Sequence, residues 1–463
     1  MAGSDADAKA QLRAAWDAFL SELARARDAL DDPALHPAPP TERNLAEGYR
    51  YLVGQLSGAL ERALFEDPAF PWLRQAIHVR AKATIDNPDA IYFAAPIDPD
   101  ASTLVRGRAA DHRHWRGSAP APSGRKAPQY LIFECASGYA GDSGSLAELR
   151  PGSRAMTGML DSTTLEVAPD GTFEILLAPE RPPGHAGNFI ATKTVRRRAR
   201  PEGGADAVEY SARYVSGRQL FGDWEREDAV ELEIERVASA GRAPASLGAQ
   251  EVAARLRRAG ELARGQLHFW NAFYTEVLET YGDRNGDGAR FMPRNAFNEP
   301  NALGLATGGG QSTNVYAGGV FELGPDDALV VETRVPVPPQ YAGFQLANLW
   351  GESLDFANRV TSLNGQQAER DPDGALRFVV AHRDPGVPNW VDTTGHPEGF
   401  MTARWAYTAK PERAQWPKIR ATLVPFDGVR DALPRGVRKV SEDERMAQIR
   451  VRQRHVQRRY RAF

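Results

Sequence analysis

Side chains that could bind or transform a small molecule are concentrated in one stretch, residues 344–407. We predict His382, with Asp384 or Glu398, as an acid-base group, because a histidine titrates nearest to neutral pH. Asparagine, arginine and tryptophan side chains of the same stretch could hold a sugar or another polar ring compound by hydrogen bonding and stacking. The predicted ligand-binding residues are Asn348, Trp350, Asn358, Arg359, Asn389, Trp390 and Arg404.

The same residues also have a structural interpretation. Asn389 could satisfy the backbone of a turn, and Trp390 could fill the end of a β-sandwich. Arg404 could pair with Asp355 or Asp384. Residue types alone leave both interpretations open, because buried turns and ligand sites use the same side chains.

One strand-rich pattern occurs twice in the chain. PDGTFEILLAPERPPGHAGNF (169–189) and PDGALRFVVAHRDPGVPNW (372–390) share an initial Pro-Asp-Gly turn, an apolar strand and a final asparagine followed by an aromatic residue. Upstream, PQYLIFECASGYAGDSG (128–144) matches PQYAGFQLANLWGESLD (339–355) without a gap. The repetition predicts two related structural units.

The periodicity of apolar residues divides the chain into helical and strand-rich segments. It predicts a mainly β protein with helical additions, in which two related antiparallel β-sandwich or jelly-roll-like units form from the internal repeat. The predicted segments are an N-terminal helical segment (1–82), a first β-sandwich unit (83–236), a central helical segment (247–282), a second β-sandwich unit (314–425) and a basic C-terminal helix (441–463).

Composition limits the classes of function. The formal net charge of −3 gives no electrostatic reason to expect nucleic acid or an acidic membrane as a partner. The single cysteine, Cys135, excludes an intrachain disulfide and is predicted to be a buried, inert thiol. Because no long apolar run or secretory signal is present, we expect a cytoplasmic protein without membrane insertion.

Several motifs resemble known sites but lack an essential residue. YGDRNGDG (281–288) begins like a calcium loop, yet Arg294 stands where a glutamate is required. GDSGS, with Ser143, resembles a serine-protease box, but nothing else of that pattern is present. The pair of histidines in 112–114 is not followed by the glutamate that such a metal site requires, and the glycine-rich segment 304–314 lacks a Walker lysine. We therefore predict no metal and no cofactor.

Segments across both copies resemble the family called domain of unknown function 1214 (DUF1214). They are DNPDAIYFAAPIDPD (86–100), GNF followed by RQLFGDWE (218–225), and NRVTSLNG…DGALRFVVAHRDPGVPNW…ARWAY. The resemblance implies β-sandwich or jelly-roll domains with helical additions, and it implies no settled activity. The family's characteristic positions correspond to Asn358-Arg359, Asp373-Gly374, Asn389-Trp390 and Arg404-Trp405.

Two functions from different classes fit these features. The first is a protein with a small-molecule pocket in the second β-sandwich, conceivably a metal-independent enzyme acting on a polar or carbohydrate-like substrate. The second is a non-catalytic protein that docks on another macromolecule, with the arginine-rich C-terminal helix as a contact for a protein partner. A concave pocket lined by the predicted residues would favour the first.

Overall fold

The computed structural model describes residues 2–32, 38–150, 152–199, 204–276, 292–301, 314–407, 409 and 411–460. Its long helices are α1 (Ala2–Leu30), α2 (Glu42–Leu60), α3 (Ala249–Thr275) and α4 (Glu442–Arg459). The prediction of a mainly β chain with N-terminal, central and C-terminal helices is confirmed. The calcium-like segment 281–288 and all of the glycine-rich segment 304–314 except Asn314 lie outside the described residues.

Side-chain caps explain where two of the helices begin. Thr41 precedes α2, and its hydroxyl oxygen accepts a hydrogen bond from the backbone N–H of Asn44 at 3.2 Å. Ser441 and Glu444 form a reciprocal capping box at the start of α4. Each cap satisfies backbone donors that the first helical turn leaves without an internal partner.

The strands fall into two groups that are separated by α3. The strands before α3 are β1 (Arg74–Ile77), β2 (Ala90–Pro96), β3 (Thr103–Arg108), β4 (Tyr130–Ala136), β5 (Met156–Asp161), β6 (Thr172–Ala178), β7 (Asn188–Ala191), β8 (Lys193–Ala199), β9 (Ala205–Ser211), β10 (Tyr214–Leu220) and β11 (Glu231–Arg236). The strands after α3 are β12 (Asn314–Glu322), β13 (Asp327–Arg334), β14 (Tyr341–Ala347), β15 (Ser362–Asn364), β16 (Leu376–Ala381), β17 (Trp390–Asp392), β18 (Glu398–Ala406) and β19 (Lys418–Pro425).

The two groups have the same topology. In the first unit, one sheet has the order β1-β2-β10-β4-β5 and the other has the order β11-β3-β6-β7. In the second unit, the orders are β12-β18-β14-β15 and β19-β13-β16-β17. The β6–β7 and β16–β17 pairs are both parallel, whereas their neighbours pair antiparallel. Apart from β1 and the separate β8–β9 hairpin, the second unit repeats the first strand for strand.

One difference from the predicted segments concerns β1. It lies within the segment 1–82 that was predicted to be helical, and it pairs antiparallel with β2. The short stretch RQAI carries too few residues to show a helical or a strand period. It becomes a strand because it adds to the exposed edge of β2.

Equivalent asparagines close the turn between the parallel strands of each unit. The amide oxygen of Asn188 accepts the backbone N–H of Glu166 at 2.8 Å, and its amide nitrogen donates to the carbonyl oxygens of Glu166 and Glu174. Asn389 makes the same three bonds with the backbone of Glu369 and Arg377. The described contacts of Asn389 thus agree with its interpretation as a residue that satisfies turn backbone.

Replacing either of these asparagines by alanine is expected to lower the free energy of unfolding by about 1–3 kcal/mol, because buried backbone groups would lose their partners. The two costs should agree closely, since Asn188 and Asn389 make the same bonds. Asn358→Ala is a control, because Asn358 bonds the exposed Asp355 side chain instead. Urea unfolding monitored by circular dichroism measures the difference. A loss for Asn389→Ala without a loss for Asn188→Ala would contradict the structural equivalence.

Alternation along the strands gives each unit an inner face and an outer face. On β10, Val215 packs into the first core beside Phe93 and Phe133. The intervening residues Ser216 and Arg218 belong to the opposite face of the same strand. The second core is built in the same way from alternate residues of the matching strands. The outer faces of these two matching sheets carry the polar residues described below.

Helix α4 spans the junction between the two units. Arg445, Arg452 and Arg459 recur every seven residues and are 6%, 1% and 3% exposed. Arg452 donates to the backbone oxygen of Phe356 in the second unit at 3.2 Å, and its guanidinium lies 5.0 Å from the ring centroid of Trp224 in the first. The face of α4 that carries these three arginines, which was predicted to contact a protein partner, is therefore buried against the protein's own two units.

Candidate functional site

A cavity of about 360 Å³ lies between the outer faces of the two β units, and we call it the inter-unit cavity. It is lined by β2, β4 and β10 of the first unit and by β12, β14 and β18 of the second. Residues of α2 and α3 line another side. The cavity is thus placed by the packing of the repeats on each other and is not enclosed within either sandwich.

Two arginines occupy equivalent positions of the repeat and both line this cavity. Arg218 on β10 pairs with Ile132 on β4, and Arg404 on β18 pairs with Gly343 on β14. Ile132 and Gly343 are aligned in the ungapped match of the two PQY segments. Strand register therefore makes Arg218 and Arg404 the same position in the two units, and both contribute a guanidinium to one cavity.

Each arginine lies beside a tyrosine of the neighbouring strand. Tyr92 pairs with Arg218, and Tyr316 pairs with Arg404. The arrangement is reciprocal across the cavity, because Arg404 also acts electrostatically on Tyr92, and Arg218 on Tyr316. Burial raises the pKa of Tyr92, and the two guanidinium groups offset part of that rise. Burial alone would lower the pKa of Arg218, but Glu134 and the nearby tyrosines raise it above its ordinary value.

Arg404 is a buried cation whose described partners are all neutral. It is 8% exposed, and it donates to the side-chain oxygen of Gln345 and to the carbonyl oxygen of Ile85. Within the described part of the chain no carboxylate forms an ion pair with it. Since an arginine has five N–H donors, further donors remain for a group in the cavity.

Glu134 is the repeat counterpart of Gln345, but its environment is different. Gln345 uses both ends of its amide, accepting from Arg404 and donating to the carbonyl oxygen of Asp86 at 2.7 Å. Glu134 is half-buried and lines the cavity. Its carboxylate forms no hydrogen bond or ion pair with the described residues. Burial raises the pKa of Glu134, and the charge of Arg218 lowers it in part.

Other cavity-lining atoms also lack hydrogen-bond partners among the residues that the structure describes. They are the amide oxygen of Asn314, the hydroxyl of Thr402 and the hydroxyl of Tyr139. The amide nitrogen of Asn314 donates to the hydroxyl of Tyr316 at 2.8 Å, which fixes the orientation of that amide. Buried polar groups are normally paired, and these atoms can form hydrogen bonds with a polar group in the cavity.

The remaining arginines of the cavity are already paired. Arg62 contacts Asp142 at 2.7 Å, and Arg74 contacts Glu66 at 2.6 Å. Arg62 also lies over the ring of Tyr139, 4.6 Å from its centroid. These two cations therefore position the end of α2 and β1. The arginine of the cavity whose described partners are neutral is Arg404, and an anion in the cavity would balance its charge.

An apolar wall lies on the helical side of the cavity. The residues that form it are Ile77, Trp270, Phe273 and Met292. A largely apolar lining with a few convergent polar groups is typical of small-molecule sites.

The predicted catalytic residues do not line the inter-unit cavity. The Nδ1 atom of His382 lies 2.6 Å from the Thr393 hydroxyl. Asp384 forms an ion pair with Arg445 at 2.9 Å, and Glu398 forms one with Arg294 at 3.2 Å. His382 shares no hydrogen bond with either carboxylate among the described contacts. The acid-base role of these three residues stays a prediction without a described contact between them.

Of the predicted ligand-binding residues, Arg404 alone lines the cavity in the described structure. Trp350 is 1% exposed and donates from its ring nitrogen to the carbonyl oxygen of Asn44 on α2 at 2.8 Å. Trp390 likewise donates to the carbonyl oxygen of Ala381 at 3.1 Å. The two tryptophans thus have structural contacts.

The other predicted ligand-binding residues hold local loops and turns. Asn348 bonds Glu352 at 2.9 Å, and Arg359 pairs with Asp392 at 3.0 Å. Asn358 bonds Asp355, and Asn389 closes the turn described above. The expected pairing of Arg404 with Asp355 or Asp384 is absent from its described hydrogen bonds.

Sequence reasoning did not identify Arg218, Tyr92, Tyr316 or Glu134. The signal for Arg218 is present in the sequence, because SGRQLFGDW (216–224) and MTARWAY (401–407) each follow the repeated PDG segment of their unit and each contains an arginine. Carrying the prediction of Arg404 through the repeat would have found Arg218. The tyrosines and Glu134 needed the strand register, since only pairing shows which side chains share a face.

The described part of the chain contains neither a metal-ligand cluster nor a membrane-spanning helix. No group of three or more histidine, cysteine, aspartate or glutamate side chains is arranged there to hold a metal ion. None of the helices in this part of the chain is both long enough and apolar enough to cross a membrane.

Known structures share this architecture, although no protein-family model and no curated protein matches the chain. A protein from Burkholderia cenocepacia, described as uncharacterized, is 28% identical with a TM-score of 0.70, and the match covers 90% of this chain and 99% of that one. The chain is thus similar to that protein in fold. A Vibrio parahaemolyticus protein matches with 10% identity and a TM-score of 0.41 over 87% of this chain and 100% of that one, which is too weak to support an argument.

Proposed function

We propose that this protein binds a small organic anion in the inter-unit cavity. The observation that carries the proposal is Arg404, a buried guanidinium with neutral described partners at the wall of a cavity. Arg218, its repeat equivalent, faces the same space. An unbalanced buried charge is unfavourable, so an anion at this position would be stabilised by charge and by the remaining N–H donors.

The apolar wall bears on the rest of the ligand. Trp270 and Phe273 would contact a carbon skeleton, whereas Arg404 and Arg218 would hold its anionic group. This proposal keeps the small-molecule hypothesis but moves the site from the second β-sandwich to the junction of the two units. Membership of the DUF1214 family, a cytoplasmic location and catalytic activity stay proposals. The alternative of a docking protein loses its predicted contact surface on one face of α4, because Arg445 and Arg452 on that face bond their own chain.

Arg404→Gln is expected to abolish the stabilisation that small carboxylates, phosphates or sulfonates give to the wild-type protein. A ligand at about 100 times its dissociation constant should stabilise the fold by roughly 2.7 kcal/mol, which a thermal-shift screen detects. Arg359→Gln is the matched control, because Arg359 is 53% exposed in its side chain and is paired with Asp392.

A second variant separates ligand binding from folding. Thr402→Val removes a buried hydroxyl that has no partner among the described residues and nearly preserves the side-chain volume. In the absence of ligand, the free energy of unfolding of Thr402→Val should be unchanged or slightly higher than that of the wild type. The stabilisation that the anion gives to this variant should be smaller. Equal responses of wild type, Arg404→Gln and Thr402→Val to every anion that stabilises the protein would contradict the proposal.

A further inference from the structure

Four arginines are described in the lining of the inter-unit cavity, and three of them have a carboxylate nearby. Arg62 and Arg74 form the ion pairs given above. Strand register places Glu134 two residues from the partner of Arg218 on the neighbouring strand, so both side chains lie on one face, and their charges interact. Arg404 differs from these three, because its described partners are neutral.

One position of the repeat accounts for this difference. Glu134 and Gln345 are aligned in the ungapped match of the two PQY segments. The first unit therefore has a carboxylate at the position beside its cavity arginine, whereas the second unit has a neutral amide there. Gln345 accepts a hydrogen bond from Arg404 and donates one to the carbonyl oxygen of Asp86. The amide thus holds the guanidinium of Arg404 in place without neutralising its charge.

The second acceptor of Arg404 is also neutral, and the backbone that presents it is strained. This acceptor is the carbonyl oxygen of Ile85. Thr84 and Ile85 both have a positive φ, of 67° and 52°, although β-branched side chains disfavour the left-handed region. Both residues line the cavity. The chain therefore places a carbonyl oxygen on Arg404 at the expense of backbone strain, and such strain is typical of functional sites.

The carboxylate of Asp86, the residue that follows Ile85, has other partners. Its two oxygens accept hydrogen bonds from the backbone N–H and the hydroxyl of Ser353 at 2.8 and 2.7 Å. Asp86 is 4% exposed, and its charge also acts on the ammonium group of Lys82. Asp86 thus has a nearby cation and two hydrogen-bond donors apart from Arg404, and an anion in the cavity would balance the charge of Arg404.

We propose that the ligand is an organic acid with a single anionic group and an apolar body, and that Gln345 determines this specificity by leaving the charge of Arg404 unbalanced. This inference rests on the proposed function, because it requires an anion at Arg404. The apolar body would lie against Trp270 and Phe273. A second anionic group would lose its hydration in a cavity whose other described arginines already have carboxylates nearby. Gln345 is thus a positioning residue that acts through Arg404.

Two matched series of compounds test the number of anionic groups. The first consists of hexanoate, hexanedioate and 1-hexanol, which share a six-carbon chain. The second consists of 3-phenylpropanoate, 3-(4-carboxyphenyl)propanoate and 3-phenylpropan-1-ol, which adds a ring for the apolar wall. In at least one series, we expect the monocarboxylate to bind the wild-type protein about tenfold more tightly than either the dicarboxylate or the alcohol, by calorimetric titration.

Variants at Gln345 test its role. Gln345→Glu supplies Arg404 with a carboxylate and should weaken binding of the monocarboxylate about a hundredfold, because the arginine then has an anion of its own. Gln345→Met is the matched control, since it also removes the amide but adds no charge, and its affinity should stay within about tenfold of the wild type. The weak binding of the alcohol should be the same in all three proteins, whereas a general distortion of the cavity would alter it.

The outcomes separate this inference from the proposed function. If the dicarboxylates bind as tightly as the monocarboxylates, or if Gln345→Glu binds the monocarboxylate as tightly as Gln345→Met, the inference is wrong and anion binding stands. The comparison of ligands uses the wild-type protein alone, so it decides the matter even if a variant does not fold. If the alcohols bind as tightly as the acids, or if no acid of either series binds, the proposed function is contradicted and the inference with it.

Discussion

Replacing Arg452 by alanine is expected to lower the free energy of unfolding by about 3–5 kcal/mol, because a buried, hydrogen-bonded cation would be removed from its partners. Arg452 is 1% exposed and donates to the backbone oxygens of Phe356 and Ser362. Burial lowers the pKa of Arg452 to about 10, which shows how far this guanidinium lies from solvent. Chemical unfolding monitored by circular dichroism measures the loss.

The loss should arise at the junction of the two units. Asp89 of the first unit is 2% exposed and accepts a hydrogen bond from Tyr341 of the second unit at 2.6 Å. Burial raises the pKa of this carboxyl, and the charges of Arg459 and Arg452 lower it in part. Without Arg452, a positive charge that stabilises the buried Asp89 carboxylate is missing. The junction that forms the inter-unit cavity is therefore weakened.

Arg454→Ala on the same helix is the matched control, since Arg454 is exposed. Its effect should stay within about 0.5 kcal/mol. Arg452→Met restores most of the volume and should remain destabilising, because a thioether cannot donate to the backbone oxygens. Equal stabilities of Arg452→Ala and Arg454→Ala would show that α4 does not hold the junction.

Trp350→Ala is expected to cost about 3–5 kcal/mol of unfolding free energy, which is typical of a large buried aromatic side chain. Trp350 is 1% exposed and lies against α2, where it stacks on Tyr51 with 5.8 Å between ring centroids. The contact is so close that a β-carbon at Gly48 would lie 2.4 Å from the Trp350 ring. The side chain therefore fixes α2 on the second unit, and Trp350→Phe should recover part of the stability.

Trp72→Ala controls for the loss of a tryptophan, because Trp72 is 58% exposed and should contribute less than about 1 kcal/mol. Unfolding is best followed by far-ultraviolet circular dichroism, since both changes alter fluorescence. The prediction that Trp350 binds ligand would require a different result. In that case, Trp350→Ala would lower the affinity for a ligand and leave the unfolding free energy nearly unchanged.

These two side chains connect the fold with the candidate site. Trp350 fixes α2, which supplies Gln55 to the cavity lining and is followed directly by the turn that supplies Arg62. Arg452 holds α4 across the junction between the units whose outer faces form the opposite walls. Both act on the geometry of the inter-unit cavity without lining it.

The sequence predicted the second unit as the location of the site, and that location stays a prediction. Arg404 was identified as an unusual polar residue on a strand, and it lines the cavity. Asn389 and Trp390 are unusual for another reason, because they donate hydrogen bonds to backbone carbonyl oxygens near the two ends of β16. Buried hydrogen-bonding residues and ligand-binding residues share the same types, so composition could not separate them.

The amino-acid sequence by itself determined the mainly β class, the helical additions and the repeated unit, because alternation, turn residues and helical spacing are local properties. Only the tertiary structure decided that Arg218, Arg404 and Glu134 line one cavity. Their meeting depends on strand register and on two units packing through their outer faces, as the hydrogen bond from Tyr341 to Asp89 shows. These are contacts between residues far apart in the chain, and no local pattern encodes them.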